Sequence, residues 1–126
     1  MKLTNEFESI RAWANARGIY EKGDVKTQFV KLLEEVGELS KAILNQDADE
    51  TKDAIGDIVV VLTNLTELCN KDLFATKTHE DLHLVKKRLI TTEHGSVKIE
   101  DCINSAFKVI ESRTGIMHNG TFKKHK

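Results

Sequence analysis

The chain has 126 residues, 40% of them hydrophobic and 31% charged, with a formal net charge of −1 at pH 7; this is the make-up of one globular domain with a modest core. There is no basic field and no interleaving of aromatics with cations, which argues against a nucleic-acid partner. The longest wholly apolar run, Ile58 to Leu62, is too short to cross a bilayer and the first residues hold no apolar signal core, so the expectation is a cytoplasmic protein with no membrane partner.

Proline is absent and no Ser/Gly-rich stretch interrupts the chain, so residues 1–126 read as a single domain. The closing Lys123-Lys124-His125-Lys126 is a basic run of the kind that usually forms a solvated end.

In chain order, Thr4 or Asn5 can cap a first helix that carries Phe7, Ile10, Trp13 and Ala14 on one stripe and stops at Gly18. A loop through Glu21-Lys22-Gly23-Asp24 is predicted next. A second helix then runs from about Val25 to Asn45, with Phe29, Leu32, Val36, Leu39 and Ile43 apolar and Gln28, Lys31, Glu35 and Glu38 on a polar stripe at the edge.

A third helix is predicted to about Asn70, with Asp49 as N-cap. Its middle, Ile58-Val59-Val60-Val61-Leu62, has strand propensity, but no turn residue separates it from the helical pattern on either side, and the helix reading prevails. Being apolar almost all round, it must be central. Asp57 shares a stripe with Asn64 beside Val60 and Val61, where a carboxylate is costly unless paired or metal-bound. Because a small monomer covers such a helix poorly, self-association is expected.

Thr78 with Asp81 resembles a capping box for a fourth helix to about Leu89, and Thr91 to Gly95 reads as loop. Ser96 can cap a fifth helix through Arg113 with Ile99, Ile103, Ala106, Phe107 and Ile110 inward, ended by Gly115. Ile116 to Phe122, with Asn119-Gly120 at its centre, reads as a hairpin. Cys69 and Cys102 sit at apolar-periodic positions and read as reduced core residues. The outline is all-α: a bundle of about five helices with a short C-terminal hairpin.

Two short runs carry the chemistry. Glu34-Glu35-Val36-Gly37-Glu38 and Asp53-Ala54-Ile55-Gly56-Asp57 each place carboxylates three or four residues apart on a helical face, with a glycine before the last one. Like charges so spaced repel and an interior glycine costs roughly 1 kcal/mol against alanine. A hard cation would remove the repulsion, since Mg²⁺ takes carboxylate oxygens and keeps waters or phosphate oxygens as its other ligands. The glycines would let two helix backbones come close.

These residues resemble the MazG-like branch of the all-α nucleoside triphosphate pyrophosphohydrolases, whose signature is ExxE followed a helix later by ExxD. Glu35-Val36-Gly37-Glu38 matches the first half, and Ala54-Ile55-Gly56-Asp57 the second with alanine where the family has glutamate; Asp53 or Glu50 could supply the missing oxygen. Asn64 matches a family asparagine. The ending, from Asn104 through Ala106, Phe107, Ile110, Arg113, Gly115, Met117, Asn119, Gly120, Phe122 and Lys124, is similar to that of short phage-encoded members. Residues 5–70 and 99–124 carry the likeness, and 71–98 read as an insertion.

The resemblance implies an enzyme that cuts a nucleoside triphosphate between the α and β phosphates, giving the monophosphate and pyrophosphate, and working as a homodimer or homotetramer with helices packed across the interface. Mg²⁺, with Mn²⁺ as a substitute, would be held by Glu35, Glu38, Asp53 and Asp57, with Glu34 facing solvent or ordering the attacking water beside Glu35, Glu38 and Asp57. Lys31 and Arg113 would grip phosphates, and Gln28, Asn64 and Lys108 join the substrate contacts. Trp13 is open between stacking on a base and packing in the core of the first helix; Asn64 is open between substrate contact and a hydrogen bond tying helices together.

Two other readings compete. His79-Glu80-Asp81-Leu82-His83 is a literal HExxH, the zinc-hydrolase spacing, but it lacks a third ligand at the metzincin distance and lies in the segment least like the family. A relative that binds a nucleotide without turning it over would keep the fold and lose activity with the glutamate at Ala54.

Overall fold

The computed structural model describes residues 3–72 and 98–125. In chain order these form α1 (Leu3–Ala16), α2 (Ile19–Lys22), α3 (Val25–Leu44), α4 (Ala48–Asp72), α5 (Ile99–Ile110) and a hairpin of β1 (Gly115–His118) and β2 (Thr121–Lys124). The expected capping-box helix from Thr78, the loop at 91–95, the Ser96 cap and the HExxH motif lie outside the described residues. The mostly helical fold with its terminal hairpin agrees with the sequence reading.

Its centre is the antiparallel pair α3 and α4, joined by three residues. On α3, Gln28, Leu32, Glu35, Leu39 and Ala42 are buried or half-buried at alternating steps of four and three; on α4, Thr51, Ala54, Ile58, Val61, Leu65 and Leu68 do the same. That spacing keeps one narrow seam of each helix against the other. The β-branched run at 58–62 is helical: Ile58 and Val61 stand in this seam, Val60 and Leu62 are half-buried, and Val59 is exposed. Further along α4, Thr63, Asn64 and Leu68 are buried where α1 and α2 pack on it.

Local chemistry explains most of the boundaries. Asp24 caps α3: its carboxylate accepts the Thr27 amide at 2.8 Å and the Thr27 hydroxyl at 2.9 Å. α4 is capped by Asp47, whose Oδ1 accepts the Glu50 amide at 3.0 Å. Asp49, expected as the cap, lies in the first turn, where its charge still suits the helix dipole. α1 begins at Leu3, so Thr4 and Asn5 are inside it. Gly18 ends it in the left-handed region (φ 78°), and the predicted loop then contains a helical turn, α2. Lys71 holds that turn from α4, donating to the carbonyls of Tyr20 (2.5 Å) and Glu21 (3.0 Å).

α5 ends at Ile110, three residues earlier than predicted, and packs on α1 and α4. It is tied to α1 by a two-pronged pair, with Arg11 Nη1 and Nη2 donating to Glu100 Oε1 and Oε2 at 2.7 and 2.6 Å. Of its expected inward stripe only Ile99 is buried; Ile103, Phe107 and Ile110 are about half exposed. Cys69 and Cys102 are half-buried. The hairpin pairs Met117 with Phe122 and His118 with Thr121, and Asn119 (φ 50°) and Gly120 (φ 78°) supply its tight turn as the Asn-Gly signal predicts. Among the described residues no helix is long and apolar enough to cross a membrane.

Candidate functional site

A helix turns by about 100° per residue, and α3 and α4 run in opposite directions, so the residues preceding the seam on both helices fall on one side of the pair. That side carries Lys31, Glu34, Glu38 and Lys41 from α3 and Glu50, Asp53 and Asp57 from α4. The residues following the seam, Phe29, Leu33, Val36 and Ile43 with Ile55 and Val59, fall on the other. The surface confirms the segregation: Glu38, Lys41, Ala42, Asn45, Asp47 and Glu50 line one cleft of about 490 Å³, whereas Ile43 and Ile55 line a separate, apolar hollow.

Glu35 stands in the seam itself, at the border of the polar side, and is only 6% exposed. Its Oε1 is 3.1 Å from Lys31 Nζ, while its Oε2 is buried without a hydrogen-bond partner. Glu38 lies one turn on and is exposed. The negative charge of Glu35 raises the Glu38 carboxyl above its ordinary value, with Asp57 across the helix pair adding to the effect. The same Glu35 raises the Lys31 ammonium. The carboxylates of the two sequence motifs therefore act on one another, although among the described residues no three acidic, histidine or cysteine side chains lie close enough to hold one ion together.

The donor set fits a hard dication in its chemistry: carboxylate oxygens, one of them buried and unpartnered, repelling one another across two helices. Lys31 now neutralises part of what such an ion would neutralise. Asp53 and Asp57 are exposed on α4. The apolar surroundings expected of Asp57 are absent, because Val61 is buried in the seam and Val60 half-buried while Asp57 is exposed. Ala54 is buried in the seam, at the place where the resemblance expects a further glutamate.

The remaining predicted contacts are dispersed. Gln28 is half-buried near the start of α3. Asn64 is 3% exposed and accepts the Tyr20 hydroxyl at 2.7 Å, so in this structure it ties α2 to α4; burial beside Glu67 pushes the Tyr20 phenol up to about 12. Trp13 is 47% exposed rather than packed in the core, with the Arg17 guanidinium 5.3 Å above its ring. Lys108 and Arg113 are exposed on α5 and just after it, and α5 packs on α1 and α4; among the described residues neither cation forms an ion pair with the acidic side. Lys41 and Asn45 were missed in the sequence. The signal was there, since 31, 34, 38, 41 and 45 follow one another at helical spacing along the polar side.

Both sequence glycines, Gly37 and Gly56, face open space: a Cβ built on either meets nothing within 4 Å. The close approach of backbones expected at these positions does not occur among the described residues.

Residues 24–79 match the family model of the MazG nucleotide pyrophosphohydrolase domain, a range that takes in α3, α4 and every carboxylate of the acidic side. A protein described as an uncharacterized 18.2 kDa protein in the rep-hol intergenic region of Haemophilus phage HP1 is 38% identical over 65 residues, covering 52% of this chain and 40% of that protein. No solved structure matches the chain. The helix pair that carries the acidic side thus lies within the stretch, residues 24–79, that is similar to the MazG nucleotide pyrophosphohydrolase domain.

Proposed function

We propose that the chain hydrolyses a nucleoside triphosphate to the monophosphate and pyrophosphate on the acidic side of α3 and α4, using Mg²⁺ or Mn²⁺. The observation that carries this reading is the buried, unpartnered Oε2 of Glu35 facing a side crowded with repelling carboxylates. Glu35 and Glu38 would hold the ion, with Asp57 or Asp53 reaching it from α4. A bound dication supplies charge neutralisation of the phosphates and a more acidic water.

What the chain's own groups do follows from their places. Glu35 is fixed by burial and anchors the site, whereas Glu38 and Asp57 are exposed and free to rotate onto a ligand. Lys31, released from Glu35, carries a positive charge one turn away that suits a phosphate oxygen. Glu34, exposed at the rim, is placed to orient an incoming water. The adjoining cleft of about 490 Å³, with Lys41 and Asn45 in its wall, has the volume of a small-molecule site and suits the nucleoside end of the substrate.

A second reading is favoured by the alanine at position 54 and by the absence, among the described residues, of three converging ligands: a module that binds a nucleotide without hydrolysing it. One experiment separates them. Pyrophosphate release is measured from a panel of nucleoside triphosphates with Mg²⁺, for the wild type and for Glu38→Ala. Release that disappears in Glu38→Ala while helical circular dichroism persists supports hydrolysis. Nucleotide binding with no release from any member of the panel selects the binding module.

A further inference from the structure

We infer that Arg11 is a two-position latch for α5: Glu100 holds it in this structure, and it passes to the buried Glu67 of α4 when α5 swings away. This goes beyond the proposed activity and does not depend on it.

Little besides Arg11 holds α5 in place. Ile99 is its one buried residue, Glu100 and Cys102 are half-buried, and every residue from Ile103 to Thr114 is exposed. Among the described residues the hairpin packs on no helix, and α5 meets the rest of the fold through α1 and α4 alone. The attachment is therefore the first turn of α5: one apolar side chain and the two hydrogen bonds from Arg11 to Glu100. Burial of one isoleucine and a charged hydrogen-bonded pair are contributions of similar size. Loss of the pair alone is enough to loosen the helix.

The second position is built into α4. Glu67 Oε2 is buried and has no hydrogen-bond partner, a state that is costly for a carboxylate oxygen. The donors near it are engaged elsewhere. The Tyr20 hydroxyl donates to Asn64, the Lys71 ammonium to the carbonyls of Tyr20 and Glu21, and the Arg11 guanidinium to Glu100. Arg11 is raised first by its bonds to Glu100 and then by the charge of Glu67, and Tyr20 first by burial and then by Glu67, so Glu67 lies close to both.

Of these donors, only Arg11 can change partner cheaply. Turning Tyr20 would leave the buried Asn64 oxygen alone, and moving Lys71 would release the carbonyls of α2. Glu100, by contrast, has a side chain 24% exposed that water can reach, whereas that of Arg11 is only 14% exposed. A swing of α5 about an ordinary ion pair would strand the arginine. Here the guanidinium, with five donors in one plane, keeps a carboxylate in both positions, and Glu67 gains the donor it lacks. Glu8, one turn before Arg11 on α1, is the other carboxylate whose charge reaches it; it is exposed and needs no protein partner.

The test is nuclear magnetic resonance of the full chain, reading amide exchange in α5 and the Arg11 Nε–H signal. Glu67→Gln should slow exchange across α5 about tenfold, the worth of one charged hydrogen bond, and by more than it slows any amide of α3. Glu100→Gln should speed α5 exchange yet leave Arg11 Nε–H protected, because the guanidinium has moved to Glu67. The double variant Glu67→Gln/Glu100→Gln should lose that protection, and Glu8→Gln should leave both readouts as in the wild type. Equal α5 exchange in Glu67→Gln and the wild type overturns the inference, whatever Glu100→Gln does. So does an Arg11 signal that is the same in Glu100→Gln and the double variant, or one that depends on Glu8 instead of Glu67.

Discussion

Replacing Lys31 by methionine tests whether this cation stands in for a metal. Lys31 is the partner of a carboxylate that is 6% exposed and whose other oxygen has none. Breaking a fully buried pair costs about 3–5 kcal/mol, while an exposed pair is worth less than about 1 kcal/mol. Half of the lysine side chain is in water, so the loss should fall between these limits, at about 1–2 kcal/mol in metal-free buffer. A chain of this size then melts a few degrees lower. Mg²⁺ at a hundred times its dissociation constant adds about 2.7 kcal/mol to any protein that binds it only when folded. With the competing ammonium gone, the Mg²⁺-induced rise in Tm should be larger in Lys31→Met than in the wild type, and absent in Glu35→Gln. The assay is thermal melting at one protein concentration, in EDTA and across a MgCl₂ titration. A Lys31→Met protein as stable as the wild type in EDTA, or one with no greater response to Mg²⁺, refutes the exchange of lysine for metal at Glu35.

Four further outcomes are expected. Ala54→Glu puts a second carboxylate into the seam near Glu35, so it should lower the urea midpoint in EDTA and recover most of the loss in Mg²⁺; equal losses in both buffers would mean that position 54 does not communicate with the site. Arg11→Met removes both hydrogen bonds to Glu100 and should cost about 2–3 kcal/mol, read as a lower urea midpoint with faster amide exchange in α5. For pH, Glu38 has its carboxyl raised by Glu35, so its ionisation opposes folding as pH climbs through and above 4.5; Glu100 is lowered by Arg11, so its contribution is complete above 4.5 and is lost as pH falls through the depressed value. Glu38→Gln should therefore gain on the wild type toward neutral pH and Glu100→Gln should lose the acid-sensitive part of its stability, both read from urea midpoints between pH 3 and 7. Gly56→Ala, with open space at its Cβ, should stabilise α4 by about 1 kcal/mol; a destabilised variant would mean that a neighbour covers this position.

α3 and α4 were legible because their buried positions repeat at a helical period, strongly enough to overrule the strand propensity of residues 58–62. The hairpin was legible because Asn119 and Gly120 tolerate the positive φ that its turn demands. What failed depended on contacts from far along the chain. α2 is a single turn with no period of its own, held by Lys71 some fifty residues away. The choice between Asp47 and Asp49 as cap cannot be made from composition, because both are good caps; the left-handed Gln46 (φ 53°) sets which of them faces the first free amides. Trp13 shares the spacing of Phe7 and Ala14, but nothing in a periodicity says where the covering helix ends. Asn64 had two readings in the sequence, and the hydroxyl of Tyr20 settles its contact in this structure.

The acidic motifs and the apolar excess were read from separate signals, yet they are two sides of one helix pair. A seam at steps of four and three uses one sector of each helix. Because the helices are antiparallel, the residues before the seam gather on one side of the pair and those after it on the other. Placing carboxylates only before the seam and large apolar residues only after it is therefore enough to build a charged surface and a sticky one back to back. Glu35 is the exception, a carboxylate within the seam, and this position explains both its burial and its influence on Glu38. Removing that carboxylate, as in Glu35→Leu with Glu34 unchanged, should relieve the buried charge and raise stability in metal-free buffer. The same change should remove any Mg²⁺-dependent gain in Tm, because no remaining carboxylate in the first motif is held in place by burial; a gain that survives it would move the metal anchor away from Glu35.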